Sequence, residues 1–143
     1  MITFVNIWET KILDPIRTFL NSEFAGSIPV YTGDFKDMGS QSIRLNPVGS
    51  DLIDYTSTGE TREYIIDVSY TFKEKSIKKD TWEHILRQVS HIEALFHNNI
   101  NNTFFNGRLT NCRVNEKTED EGTIDGLNVM RWEWRGMFLG NLS

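Results

Sequence analysis

Cysteine is almost missing from this chain. Cys112 stands alone among 143 residues, so no disulfide can form within the chain and no cysteine-based zinc site can be built. An excess of positive charge is missing too. Lys and Arg number 15 against 20 Asp and Glu, for a formal net charge of −5. A nucleic-acid-binding domain carries a basic footprint, so tight binding of DNA or RNA is disfavoured. No stretch approaches the ~18 apolar residues of a membrane-spanning helix. The opening Met1 to Lys11 sets no positive segment ahead of a long apolar run, so it does not read as a signal peptide. The expectation is a protein that folds in the cytoplasm and stays soluble.

Catalytic signatures are missing as well. Neither G-x-G-x-x-G nor Walker A occurs, and Gly33, Gly39 and Gly49 are scattered turn glycines. The serines make no G-x-S-x-G elbow. There is no H-E-x-x-H among His84, His91 and His97. His84 and His91 are separated by nearly two helical turns, about 10 Å along the axis, too far to share one metal. They read as polar-face histidines. Cys112 lies mid-strand with only Arg113 as a basic neighbour, and reads as a small buried hydrophobe. The expectation is no enzyme, no cofactor and no metal.

What is present is a folded single domain, residues 1–143. Apolar residues make up 38% and charged residues 24%, a composition that supports a core. The centre is Arg62 to Asn98. Tyr64, Ile66, Val68, Tyr70 and Phe72 fall at every second position and share one face of a strand. Asp80 is placed to cap a following helix, with Glu83 three residues on. Trp82, Ile85, Leu86, Val89, Ile92 and Phe96 then recur at steps of three and four. That stripe should lie on the Tyr64 face of the strand.

Around this unit the chain reads in order. Val5, Trp8, Ile12, Ile16 and Phe19 make an N-terminal helix with one apolar face, broken at Asp14-Pro15. Ile28 to Thr32 is a short strand, placed at an edge or a strand start by Pro29. Ser40 to Leu45 is a second, ended by Asn46-Pro47. Val48 to Thr61 reads as a loop of serines, threonines, aspartates and two glycines. After the long helix, Gly107 to Asn115 is a strand with Thr110, Cys112 and Val114 on one side. Leu127 to Leu139 is the last strand. It sets Met130, Trp132, Trp134 and Phe138 against Val129, Arg131, Glu133 and Arg135. The fold expected is α+β: a mostly antiparallel sheet of four to five strands, with the N-terminal helix and one long helix on one face.

Three charged groups stand out. Lys73, Lys75, Lys78 and Lys79 cluster at the turn before the long helix. Solvation accounts for them, and a contact patch is the functional alternative. Glu116, Lys117, Glu119, Asp120, Glu121 and Asp125 make a charged connection between the last two strands. The lysines and this acidic turn of another copy are natural complements, in a head-to-tail contact that closes into a ring when the rotation permits. Arg131, Glu133 and Arg135 alternate along the last strand and suit either water or a charged subunit interface.

The order and lengths of these elements resemble the tail terminator (tail completion) proteins of long-tailed bacteriophages, the lambda-like kind. The resemblance rests on the amphipathic start, the long strand Arg62–Lys73, the Trp- and Leu-rich helix Asp80–Asn98, and two closing strands joined by a charged connection. Pro15 and the Val48–Thr61 stretch depart from the pattern. The resemblance implies a structural virion protein assembled in the host cytoplasm. Six copies would form a homohexameric ring that caps the tail tube protein and joins the tail to head-tail connector or neck proteins. DNA would pass through the lumen without sequence-specific binding. An acidic ring suits that passage, because a negative wall does not hold the phosphate backbone. On this reading the Glu116–Asp125 connection faces the lumen or a neighbouring ring. The alternatives are another neck or head-completion protein, or a small-molecule-binding domain or enzyme. In the enzyme case Asp67 or Glu133 would point into a closed cavity. In the ring case both would sit at a surface or a subunit contact.

Overall fold

The computed structural model describes residues 1, 3–25, 27–32, 41–55, 59–73, 79–99, 105–115 and 127–140. The chain opens with a π-helical turn, Trp8–Leu13, that runs directly into α1, Asp14–Phe24. Pro15 explains the junction. In an uninterrupted α-helix its ring would press on the carbonyl four residues back, and its missing N–H would leave that carbonyl unbonded. Here the Asp14 N–H bonds the Glu9 carbonyl five residues back, and Pro15 falls in the first turn of α1. One apolar face continues through the break: Ile7, Ile12, Leu13, Ile16, Phe19, Leu20 and Phe24 are buried. α1 ends at Ala25, which takes the left-handed conformation (φ 50°) and donates its N–H to the Asn21 carbonyl.

Five strands follow in the sheet order β1-β2-β3-β5-β4. They are β1 (Val30–Thr32), β2 (Gln41–Tyr55), β3 (Glu60–Lys73), β4 (Phe105–Asn115) and β5 (Leu127–Gly140). β1 is an edge strand, with Pro29 just before its start, and runs parallel to β2; the other pairs are antiparallel. The expected α+β fold is the fold observed, with one parallel pair in an otherwise antiparallel sheet. Arg17 ties three elements together. Its guanidinium contacts Glu9 in the π-turn, Asp14 at 2.6 Å in α1 and Thr32 at 2.9 Å in β1.

The long helix α2, Lys79–Asn98, starts one residue ahead of the expected cap Asp80, a shift of the size by which helix ends fray. It packs beside α1 on the Tyr64 face of β3. Phe19 of α1 meets Phe96 of α2 edge-on, ring centroids 5.0 Å apart, and Trp8 meets Tyr64 at 4.8 Å. Ile43, Leu45, Tyr64, Ile66, Val68, Tyr70, Met130, Trp132 and Trp134 supply the sheet side of the core. Ile85, Val89, Ile92 and Phe96 supply the α2 side. Burial of each such side chain contributes roughly 1.5–3 kcal/mol. Leu86 does not join the stripe; it is half exposed. Its position is one residue past Ile85, so the same turn that aims Ile85 into the core rotates Leu86 to the flank.

The Val48–Thr61 loop expectation is corrected. β2 continues through Pro47 to Tyr55 and pairs with β3 from Glu60 onward. Two bulges make this possible. Val48 and Ile53 are each one residue in excess of the register, beside Pro47 and Leu52. A bulge lets a strand carry proline without losing its pairing beyond it. Gly49 and Asp54 directly follow the two extra residues, so these turn formers fall within bulged, paired strand.

Candidate functional site

The face of the sheet opposite the helices carries the charge. No described helix covers it. The register lays its residues out in rows across the strands. Arg44, Ser69, Arg131 and Arg113 make one row; Asn46, Asp67, Glu133 and Thr110 make the next; Ile65, Arg135 and Arg108 follow. The expected alternation of Arg131, Glu133 and Arg135 is thus a true face, and all three side chains are half-buried. Asp67 and Glu133 are directly opposite one another on this face, not between helix and sheet.

Arg135 is the hub. It donates to Glu63 at 2.6 Å and to Glu133 on its own strand. These two carboxylate bonds raise its pKa and keep it charged. Glu63 comes from the strand beside it, so the contact fastens β3 to β5. Farther along the hairpin of β2 and β3, Arg62 pairs with Glu60 at 2.7 Å and reaches Ser50 Oγ at 3.3 Å.

At its outer end β2 runs from Asp51 to Tyr55 opposite the start of β3. The β2 side of this end is exposed and presents apolar side chains: Val48, Leu52 at 47%, Ile53 at 55% and Tyr55 at 73% exposure. Exposed apolar side chains gathered on one element mark a contact surface. The sequence held a signal for this arm in Val48, Leu52 and Ile53, apolar residues in a stretch otherwise read as polar loop.

The other expected site residues are placed as follows. Lys73 is the last residue of β3 and Lys79 the first of α2, so the backbone sets both at the turn before the helix. Lys75, Lys78, Glu116, Glu119, Asp120, Glu121 and Asp125 lie outside the described residues.

Cys112 is corrected from buried to exposed. β4 has a bulge between Thr110 and Arg113, with Asn111 in the left-handed region at φ 52°. The expected side of the strand is therefore split. Thr110 opposes Glu133 on the charged face, whereas Val114 opposes Met130 on the helix face. Cys112, two residues before Val114, stands on the helix side of this edge strand. Partial burial and the Glu93 carboxylate push its thiol pKa up, against a smaller opposing contact from Trp132. A raised pKa leaves little thiolate, the form that acts as nucleophile.

Among the described residues no three His, Cys, Asp or Glu side chains are grouped to hold a metal ion. His84 lies against the Phe72 ring, and His91 contacts Glu23 at 2.7 Å. No described helix is long and apolar enough to cross a membrane.

No family model and no curated protein matches the sequence. Among solved structures, the chain is similar in fold to a chain of the virion of a native gene transfer agent (GTA) particle. The TM-score is 0.56 at 10% identity, over 95% of this chain and 100% of that one. Two sequences this far apart share a path of the backbone and little else, and the shared path here covers nearly the whole α+β fold.

Proposed function

We propose that the chain is a structural subunit of a phage-like virion, of the tail terminator kind. About six copies close into a ring at the end of the tail tube, joining it to the neck, and DNA passes through the middle. The observation that carries this reading is the whole-length likeness to a chain of a GTA virion. The resemblance in element order to tail terminators supports the finer role. Two features of the surface agree with it. A charged sheet face and an exposed apolar arm suit contacts with neighbours, and the net charge of −5 suits the wall of a channel for DNA.

The subunit works by shape and contact. The tube stops growing when the ring covers its last growing surface, and the ring's far side receives the neck. No bond is made or broken. Asp67 and Glu133 then act at surfaces, and Lys73, Lys75, Lys78 and Lys79 with Glu116, Glu119, Asp120, Glu121 and Asp125 are the polar contacts between copies or toward the lumen.

The test is quantitative mass spectrometry of purified particles from the virus that encodes the chain, with immunogold imaging. The chain should be present at about six copies per particle, at the head-tail junction. Its absence from purified particles would refute a virion role. Presence elsewhere on the particle would refute the terminator role alone.

A further inference from the structure

The two charged cross-strand pairs at the β4–β5 edge are both arginine on arginine. Arg108 opposes Arg135, and Arg113 opposes Arg131. Directly opposed like charges destabilise a sheet unless something neutralises them. Arg135 is neutralised by Glu63 and Glu133. Arg113 and Arg131 have no carboxylate partner among the described residues. Their opposition is also a product of the bulge. Without the extra residue at Asn111, Arg113 would fall opposite Met130, toward the core. With it, Arg113 turns to the charged face opposite Arg131 and is itself exposed. Asn is among the non-glycine residues that take the left-handed region most readily, and bulges commonly serve to re-aim a side chain.

We propose that Arg113 and Arg131 form a two-arginine clamp for carboxylates, and that its occupant is the Glu119-Asp120-Glu121 run of a neighbouring copy. Two arginines opposed across adjacent strands offer two guanidinium groups that suit a carboxylate-rich peptide segment. Glu119-Asp120-Glu121 is the densest acidic run in the chain. The clamp and its occupant are different surfaces, so the contact is head-to-tail and propagates around a closed ring. This inference rests on the ring reading above and names one of the ring's contacts.

The experiment is sedimentation at low and high salt, using full-length chains. The variants are Arg113→Glu/Arg131→Glu and Glu119→Arg/Asp120→Arg/Glu121→Arg. A milder Arg113→Gln/Arg131→Gln variant, with near-UV circular dichroism on all three, separates loss of contact from loss of fold. The wild type should self-associate at low salt and dissociate as salt screens the contact. Each reversed variant alone should associate at least about tenfold more weakly. An equimolar mixture of the two reversed variants should regain wild-type association, because every second interface then carries the pair in normal sense and the rest in swapped sense. Variants that associate like the wild type overturn the proposal. So does a mixture that fails to recover, which is the result if the run binds its own chain. Loss of heparin retention in Arg113→Gln/Arg131→Gln, with self-association intact, assigns the clamp to phosphates and overturns it too. A wild type that stays monomeric at low salt overturns this contact, while the virion reading stands or falls separately on the copy count in particles.

Discussion

Replacing Gly136 with alanine tests the packing of the aromatic core against a single methyl group. Gly136 lies on β5 opposite Tyr64, and the Trp134 indole folds across it. A Cβ at this position would sit 2.5 Å from Trp134 Cζ2, closer still to Cη2, and 3.2 Å from the Gly107 Cα. Carbon atoms in contact prefer about 3.5–4.0 Å, so the ring must retreat by about 1 Å. Trp134 is fully buried and cannot swing to solvent. Two effects oppose each other. Gly→Ala stiffens the unfolded chain and on that account stabilises by about 0.4–1 kcal/mol. Overpacking a filled core destabilises by about 1–3 kcal/mol. The clash wins, with a net loss of about 1–2 kcal/mol, or roughly 3–7 °C in Tm for a chain of this size. Thermal and urea unfolding measure it. Trp134→Phe removes the atoms that clash, so a double-mutant cycle should show coupling of about 1 kcal/mol or more between the two sites. A Gly136→Ala protein that melts at or above the wild-type temperature, with no coupling to Trp134, would refute this reasoning.

Ile92→Ala should destabilise by about 3 kcal/mol by opening a cavity between α2 and the sheet, read as a lower urea midpoint with unchanged slope. Ala25→Gly should stabilise by about 1 kcal/mol, because Ala25 closes α1 in the left-handed region where glycine bears no penalty; differential scanning calorimetry checks it. Tyr70 is fully buried and bonded to Gln41 at 2.7 Å, and burial pushes its hydroxyl pKa up to about 12. Its folded pKa lies above the unfolded value of about 10, so its contribution is intact below pH 10 and is lost as pH rises toward 12. Stability should fall there by roughly 1.4 kcal/mol per pH unit from this group, and Tyr70→Phe should remove that part of the slope in alkaline urea titrations. Leu52→Ser/Ile53→Ser on the exposed arm should change stability by less than about 0.5 kcal/mol, yet lower incorporation into particles, measured by mass spectrometry of virions from complemented cells.

The parts of the fold that were legible in the sequence are those where one periodicity runs uninterrupted. Tyr64 to Phe72 alternate without a break, and β3 is where that alternation placed it. Ile85 to Phe96 step by three and four, and α2 packs on the face that stripe required. Misreadings gather where an extra residue interrupts the count. Val48 and Ile53 bulge out of β2, so an arm of paired strand read as a loop. Asn111 bulges out of β4, so Cys112 and Thr110 were assigned to one side when they occupy opposite sides. The charged strand Arg131–Arg135 was legible as a candidate contact, but its partners were not. Glu63 is 72 residues away from Arg135, and only strand order brings them together.

The sequence by itself determined the class of the protein: an α+β domain with an aromatic core, acidic overall. Those properties follow from local periodicity and composition, which need no knowledge of neighbours. Tertiary structure decided the rest. Setting β5 beside β3 brought Glu63 to Arg135, which already had Glu133 on its own strand, and the bulge at Asn111 turned Arg113 to face Arg131. A side chain's alternation fixes which face it takes. Only the register between strands, set by bulges and by pairing across the sheet, decides which charge it meets there.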